Sequence, residues 1–215
     1  MKFMLCRMRT NWPQRHHRCG DQTMKTNHMR SLTMLLGIII CAGLVGCSVV
    51  ESRQPMGLEP AADIAEQLQG TWTQGKDVIC MTHTVTGVCS LAYVETSKHA
   101  LDANVYQLVL RRSPQRVYAN LTKPQDDPAA TNLYCISLLQ ISDKNHCTVI
   151  LPRVAAFAAA VEQAALVGTN RSKDSVTIDC TPAQLEKYLD GVVQSNVWRT
   201  EDPIHLIRLV PAAGK

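Results

Sequence analysis

The chain has 215 residues, 46% of them hydrophobic and 19% charged, which is enough apolar material for a sizeable core and rules out disorder along its whole length. Its net charge of +4 is unevenly placed: residues 1–46 hold seven Lys and Arg against one Asp, a balance of +6, whereas residues 47–215 hold 15 basic against 17 acidic residues, a balance of −2. The basicity belongs to the first 46 residues, so a nucleic-acid partner is not expected for the rest of the chain.

Lys25, His28 and Arg30 precede 19 residues without a charge, Leu32 to Val50. A basic n-region followed by an apolar h-region is the order of an export signal, although the stretch is long enough to be weighed as a transmembrane helix. It ends in Leu44-Val45-Gly46-Cys47, which resembles the lipobox of bacterial lipoproteins. The resemblance implies a diacylglyceryl group on the Cys47 thiol, removal of residues 1–46 as a signal peptide, and acylation, commonly by palmitate, of the new amino group. Two or three acyl chains would then hold the protein stably at the membrane of the cell envelope, where one chain would not. Ser48 after the modified cysteine is compatible, in lipoproteins of enteric bacteria with two membranes, with transport to the outer membrane, facing the periplasm. Residues 1–23 make the n-region longer than the roughly 15–30 residues usual for a whole signal; translation from Met24 would give a leader of ordinary length, with Met29 as a second candidate. Cys6, Cys19, His16 and His17 in that early segment match no zinc spacing.

Residues 47–58 read as the lipidated cysteine and a flexible tether, because Ser48–Leu58 has no helical or strand period and contains Pro and Gly. A single domain is expected over residues 59–215. Glu59-Pro60 opens a short helix with Ile64 and Leu68 on one face, ended by Gly70. Residues 71–151 have a β texture and predict five to seven antiparallel strands, their connections being too short for crossover helices. In this region residues 105–111 and 117–121 alternate apolar and polar side chains, and a hairpin turns at Ser142-Asp143-Lys144-Asn145. Gln125-Asp126-Asp127-Pro128 reads as an exposed turn. After Pro152 the period becomes helical, with Val154, Phe157, Ala158 and Val161 on one stripe. A strand follows that buries Val176, Ile178 and Cys180. Thr181-Pro182-Ala183-Gln184 then forms a capping box, before a helix carrying Leu185, Tyr188, Leu189, Val192 and Val193. A last strand runs from Ile204 to Val210. The expected fold class is α+β: an antiparallel sheet or partly closed barrel followed by two helices alternating with strands.

Beyond Cys47 the chemistry is sparse. Cys80, Cys89, Cys135, Cys147 and Cys180 remain after processing, and export makes disulfides plausible among Cys80, Cys89, Cys135 and Cys147. A turn centred on Asp143-Lys144 places Cys147 opposite Gln140 and Cys135 on the other face, which disfavours their direct bridge. Cys80–Cys89 needs a turn centred earlier than Gly87 suggests, and Cys180 reads as a buried thiol. Cys80-x-x-His83 with His146-Cys147 is the one metal-like set, but adjacent strand residues face opposite ways, so no metal or other cofactor is expected. His83, His99, His146 and His205 are isolated, no catalytic motif is present, and Arg111, Arg112 and Arg116 read as a solvated hairpin tip rather than a phosphate or headgroup site. Gly70-Thr71-Trp72 at the first strand is similar to the GxW of lipocalins. That resemblance implies a ligand-holding barrel in which Arg208 packs on Trp72, although the helix–strand–helix tail departs from the lipocalin pattern. The reading is a non-enzymatic, lipid-anchored envelope module that binds an envelope protein or serves structurally. The alternatives are a carrier or sensor of an apolar ligand, and then a metal or enzymatic domain using Cys80 and His83.

Overall fold

The structure, a computed structural model, describes residues 48–96, 101–124 and 132–209, with the backbone alone for residues 95, 96, 101 and 102. Cys47, His99 and the turn expected at residues 125–128 lie outside the described residues.

Eight strands form a closed antiparallel barrel: β3 (Gly70–Gln74), β4 (Asp77–Val85), β5 (Val88–Thr96), β6 (Leu101–Ser113), β7 (Arg116–Thr122), β8 (Tyr134–Asp143), β9 (His146–Ile150) and β12 (Ile204–Arg208). The first seven pair in chain order, as short hairpin connections dictate. Closure comes from β12, which pairs with β9 through Leu206 opposite Cys147 and with β3 through Arg208 opposite Trp72. The expected partly closed barrel is thus fully closed, and the fold is mostly β, with four short helices among the described residues rather than a balanced α+β layout. One end, called here the lower end, carries the β4–β5, β6–β7 and β8–β9 hairpins. Helix α1 (Ala62–Leu68) packs there, with Ala61 donating its N–H to the Leu110 carbonyl at 3.0 Å and Ala61, Ala65 and Leu68 buried.

Between β9 and β12 the chain leaves the barrel to build α2 (Val154–Glu162), β10 (Gly168–Ser172), β11 (Ser175–Ile178), α3 (Pro182–Asp190) and α4 (Gln194–Val197). Helix α3 begins with the expected capping box, the Thr181 side chain accepting from the Gln184 N–H while Gln184 reaches back to the Thr181 N–H. It stops at Asp190, so Val193, placed on its apolar face by the sequence period, is 64% exposed. These elements cover the outer face of β7–β9. Ridges of Tyr118, Ile136, Leu138 and Ile150 meet Phe157, Leu185, Leu189 and Trp198 in one apolar core, in which Phe157 and Trp198 pack edge to face at 5.9 Å. The main cluster of buried apolar side chains therefore lies outside the barrel wall.

The tether expected at residues 48–58 is instead part of this domain. Val49–Ser52 is strand β1, parallel to β11 with Val50 opposite Val176, and antiparallel to β8 with Ser52 opposite Tyr134. Val50 and Met56 are buried, and Asn120 ties the following loop down by exchanging hydrogen bonds with the Met56 N–H and C=O at 2.7 and 3.0 Å. Polar letters in that segment concealed a short strand whose partners come from distant sequence. A two-residue strand β2 (Glu59–Pro60) then runs along β6.

Substituting Phe157→Ala should cost about 3–5 kcal/mol, the range for removing a buried aromatic, read from urea unfolding as a lowered midpoint with an unchanged slope.

Candidate functional site

The most constrained constellation in the barrel is at its lower end. Arg208 lies over the Trp72 ring, 4.6 Å from its centroid, and donates to the Gln69 carbonyl at 2.9 Å and to the Gln67 carbonyl. The Trp72 indole N–H donates to the Leu68 carbonyl at 2.7 Å. Both side chains thus close on the C-terminal carbonyls of α1, which a helix end leaves without intrahelical partners, and a cation is favoured there. Gly70 has φ +136°, and a Cβ at this position would meet the guanidinium at 3.3 Å, so conformation and space both favour glycine. The packing of Arg208 on Trp72 implied by the lipocalin resemblance is present. The helix–strand–helix tail does not interrupt it, because the tail is inserted before the last barrel strand.

Inside the barrel the strands alternate as pleat geometry requires. Inward-facing Cys89, Leu110, Trp72, Cys147 and Tyr93 are each no more than 2% exposed. So little accessible surface means that side chains fill the barrel at these levels. At the upper end, Tyr93 donates to Asp77 at 2.8 Å, while the second Asp77 oxygen and the Gln74 carbonyl are buried without a hydrogen-bond partner among the described residues. This polar pair was not singled out from sequence, since register alone brings Gln74 opposite Asp77 across a tight turn.

The candidate metal pair is separated by the same pleat. Cys80 faces outward, exposed and opposite Ala92, whereas His83 faces inward opposite Cys89. Among the described residues no group of three or more His, Cys, Asp or Glu side chains is placed to hold a metal ion. His83 and Cys89 do share a face, but the Cys89 thiol is directed at the Ala65 carbonyl at 3.7 Å and burial pushes its pKa up to about 11, the opposite of an activated nucleophile. His146 sits at the β8–β9 hairpin, its Nδ1 2.9 Å from Asp143, whose pKa is lowered by the Asn145 N–H and by His146. His205 faces Thr148 on the outer surface at 3.2 Å.

The disulfide candidates also come apart. Cys80, Cys89, Cys147 and Cys180 are free thiols. Cys147 stands opposite Ile141, not Gln140, because the register shifts by one at Ser142. Cys147 and Cys135 consequently share the inward face, correcting the expectation, but the six positions from Cys135 to Ile141 span about 20 Å at strand rise, far beyond a disulfide. Cys80 and Cys89 lie on opposite faces.

The arginines of the β6–β7 region form a set of internal clamps. Arg111 donates to the Gly57 and Leu58 carbonyls at 2.7 and 2.8 Å, Arg112 pairs with Asp63, and Arg116 bonds Glu186 at 2.7 Å and Asp190 at 3.0 Å. Glu186 also accepts from the buried Tyr118 hydroxyl, whose ionisation burial strongly opposes. Sequence alone could not pair Arg116 with residues some seventy positions away. Two concavities are lined by described residues. One, about 380 Å³, is lined by Ala164, Leu166, Cys180, Lys187 and Tyr188; the other, about 510 Å³, by Glu66, Asp143, Lys144 and Arg208.

Burial raises Cys89 and Cys180 to about 11 and Cys147 to about 12, against an ordinary thiol value of 9.0. Their stabilising contribution should be complete below about pH 9 and lost as pH rises through 11–12, because unfolded thiols ionise first. Urea midpoints across this range should fall in the native domain and fall less in Cys147→Ala. Cys80, being exposed, should alkylate in the native state, with Cys89, Cys147 and Cys180 reacting only on unfolding.

Comparison of the chain with protein-family models, curated proteins and solved structures finds no match.

Proposed function

We propose that this chain is an exported bacterial envelope lipoprotein, anchored through Cys47, whose barrel domain acts as a rigid, non-enzymatic binding or structural module. The observation that carries the reading is a coincidence of boundaries. The lipobox-like Leu44-Val45-Gly46-Cys47 would be cut before Cys47, and a separate compact unit begins at Ser48, with the Val49 N–H already hydrogen bonded to the Asp174 carbonyl at 2.8 Å. Processing there would release the apolar leader without removing any of the described residues. Among the described residues no helix is long and apolar enough to cross a membrane; in this reading the acyl chains on Cys47 hold the protein at the membrane. Ser48 favours the periplasmic face of an outer membrane where the cell has one.

A carrier of an apolar ligand is the second reading, favoured by the closed barrel and by Arg208 on Trp72. The packed inward side chains work against it, so a ligand would have to enter near Gln74, Asp77 and Tyr93.

Cys47→Ala should yield an unprocessed precursor without acyl label; normal processing would refute the anchor. Native mass spectrometry of the processed protein separates the two readings: mass lost on denaturation supports a carrier, and a bare mass supports a module that works through its surface.

A further inference from the structure

The distance between the anchor and the fold sets how the domain sits. If Cys47 carries the lipid, one residue, Ser48, separates it from strand β1, and two residue steps span at most about 7 Å. Val49 is fixed to the β10–β11 hairpin: its N–H bonds Asp174, and its Cα pairs with Ser175. Whatever surface holds the Cys47 lipid must therefore lie beside the hairpin tip Arg171–Asp174. A free tether of the usual kind would let the domain turn in any direction; a two-step leash ending in a hydrogen-bonded strand does not.

That tip presents two long basic side chains to solvent. Arg171 and Lys173 are exposed, and Ser172 between them is also exposed. Arg171 is 3.9 Å from Glu51, whose side chain is 7% exposed, and Asp174 is the other acidic residue of the turn. Glu162 lies close by, accepting from Asn170 at 3.0 Å. Long basic side chains at a headgroup layer reach phosphates while their stems stay over the protein. From the tip, β1 and β11 run side by side away from the anchor, towards Cys180 and the concavity between the α2–β10 loop and α3.

Building on the lipoprotein reading, we propose that the β10–β11 hairpin tip, through Arg171 and Lys173, is the foot on which the domain rests against the phospholipid headgroups of its own leaflet. This foot turns the Leu166–Tyr188 concavity away from the membrane.

The test uses the processed, lipidated protein purified from membranes, with Cys80→Ser and Cys135→Ser so that a single introduced thiol takes an environment-sensitive fluorophore. Lys173→Cys, Lys187→Cys and Lys76→Cys are compared in vesicles of phosphatidylethanolamine and phosphatidylglycerol carrying a headgroup quencher. Quenching at 173 should exceed that at 187 and 76 several-fold, and Arg171→Glu in the 173-labelled protein should reduce it without releasing the protein from the vesicles. Equal quenching at the three positions, or stronger quenching at 187 or 76, overturns the foot while leaving the anchor intact. A protein without acyl label that does not float with the vesicles overturns the anchor and the foot together, so the two failures are distinguishable.

Discussion

The domain depends on how its last strand is brought back. After β9 the chain leaves the barrel, builds three helices and a hairpin, and must return between two strands that would otherwise both be open edges. Unpaired strand edges expose backbone donors and acceptors and invite association. The return is held by Arg208, which rests on Trp72 and donates to the carbonyls ending α1. One side chain therefore joins the first barrel strand, the last barrel strand and the helix at the lower end. This position demands a planar cation with several donors, which is arginine's geometry rather than lysine's.

The insertion that makes this return necessary also supplies the larger core. Its helices lie on the outer face of β7–β9, so Tyr118, Ile136 and Leu138 are covered although they point away from the barrel axis. A barrel wall buried on both faces reads as a nearly continuous apolar run, as residues 136–139 do. Buried polar groups fix the arrangement where apolar contact alone would allow sliding. Glu186 receives both Arg116 and Tyr118, and Asn120 holds the Met56 loop. Each such group is costly to leave without its partner, which gives these contacts directional force.

For the proposed function, this packing favours the surface over the interior. A barrel packed at the level of Trp72 and Leu110 has little space for a guest. Its cysteines and histidines are dispersed by the pleat between inside and outside. The arginines that seemed free at a hairpin tip are spent on internal carbonyls and carboxylates. The proposed module would work through its outer surface, positioned by a strand that starts almost at the proposed lipid.

Much was legible in the residues themselves. The strand-rich first part, the helical change after Pro152, the capping box at Thr181, the strand through Val176 and Ile178 and the pairing of Trp72 with Arg208 all rest on local period or on a short pattern. The objection to a metal set containing adjacent His146 and Cys147 followed from the two-residue period, whereas the separation of Cys80 from His83 emerged with the strand that holds both. Other features were hidden because they depend on contacts distant in sequence. Residues 48–58 have no period of their own, and Val49–Ser52 within them becomes a strand only when β11 and β8 flank it. The facing of Cys147 turned on a one-residue bulge at Ser142 that composition does not mark. Barrel closure required β12 to meet β3 and β9 at once. Local sequence determined most of the strand and helix segments, because period and capping act within a few residues; only the tertiary structure decided what those strands enclose and which polar groups meet, because register and burial are set between segments far apart in the chain.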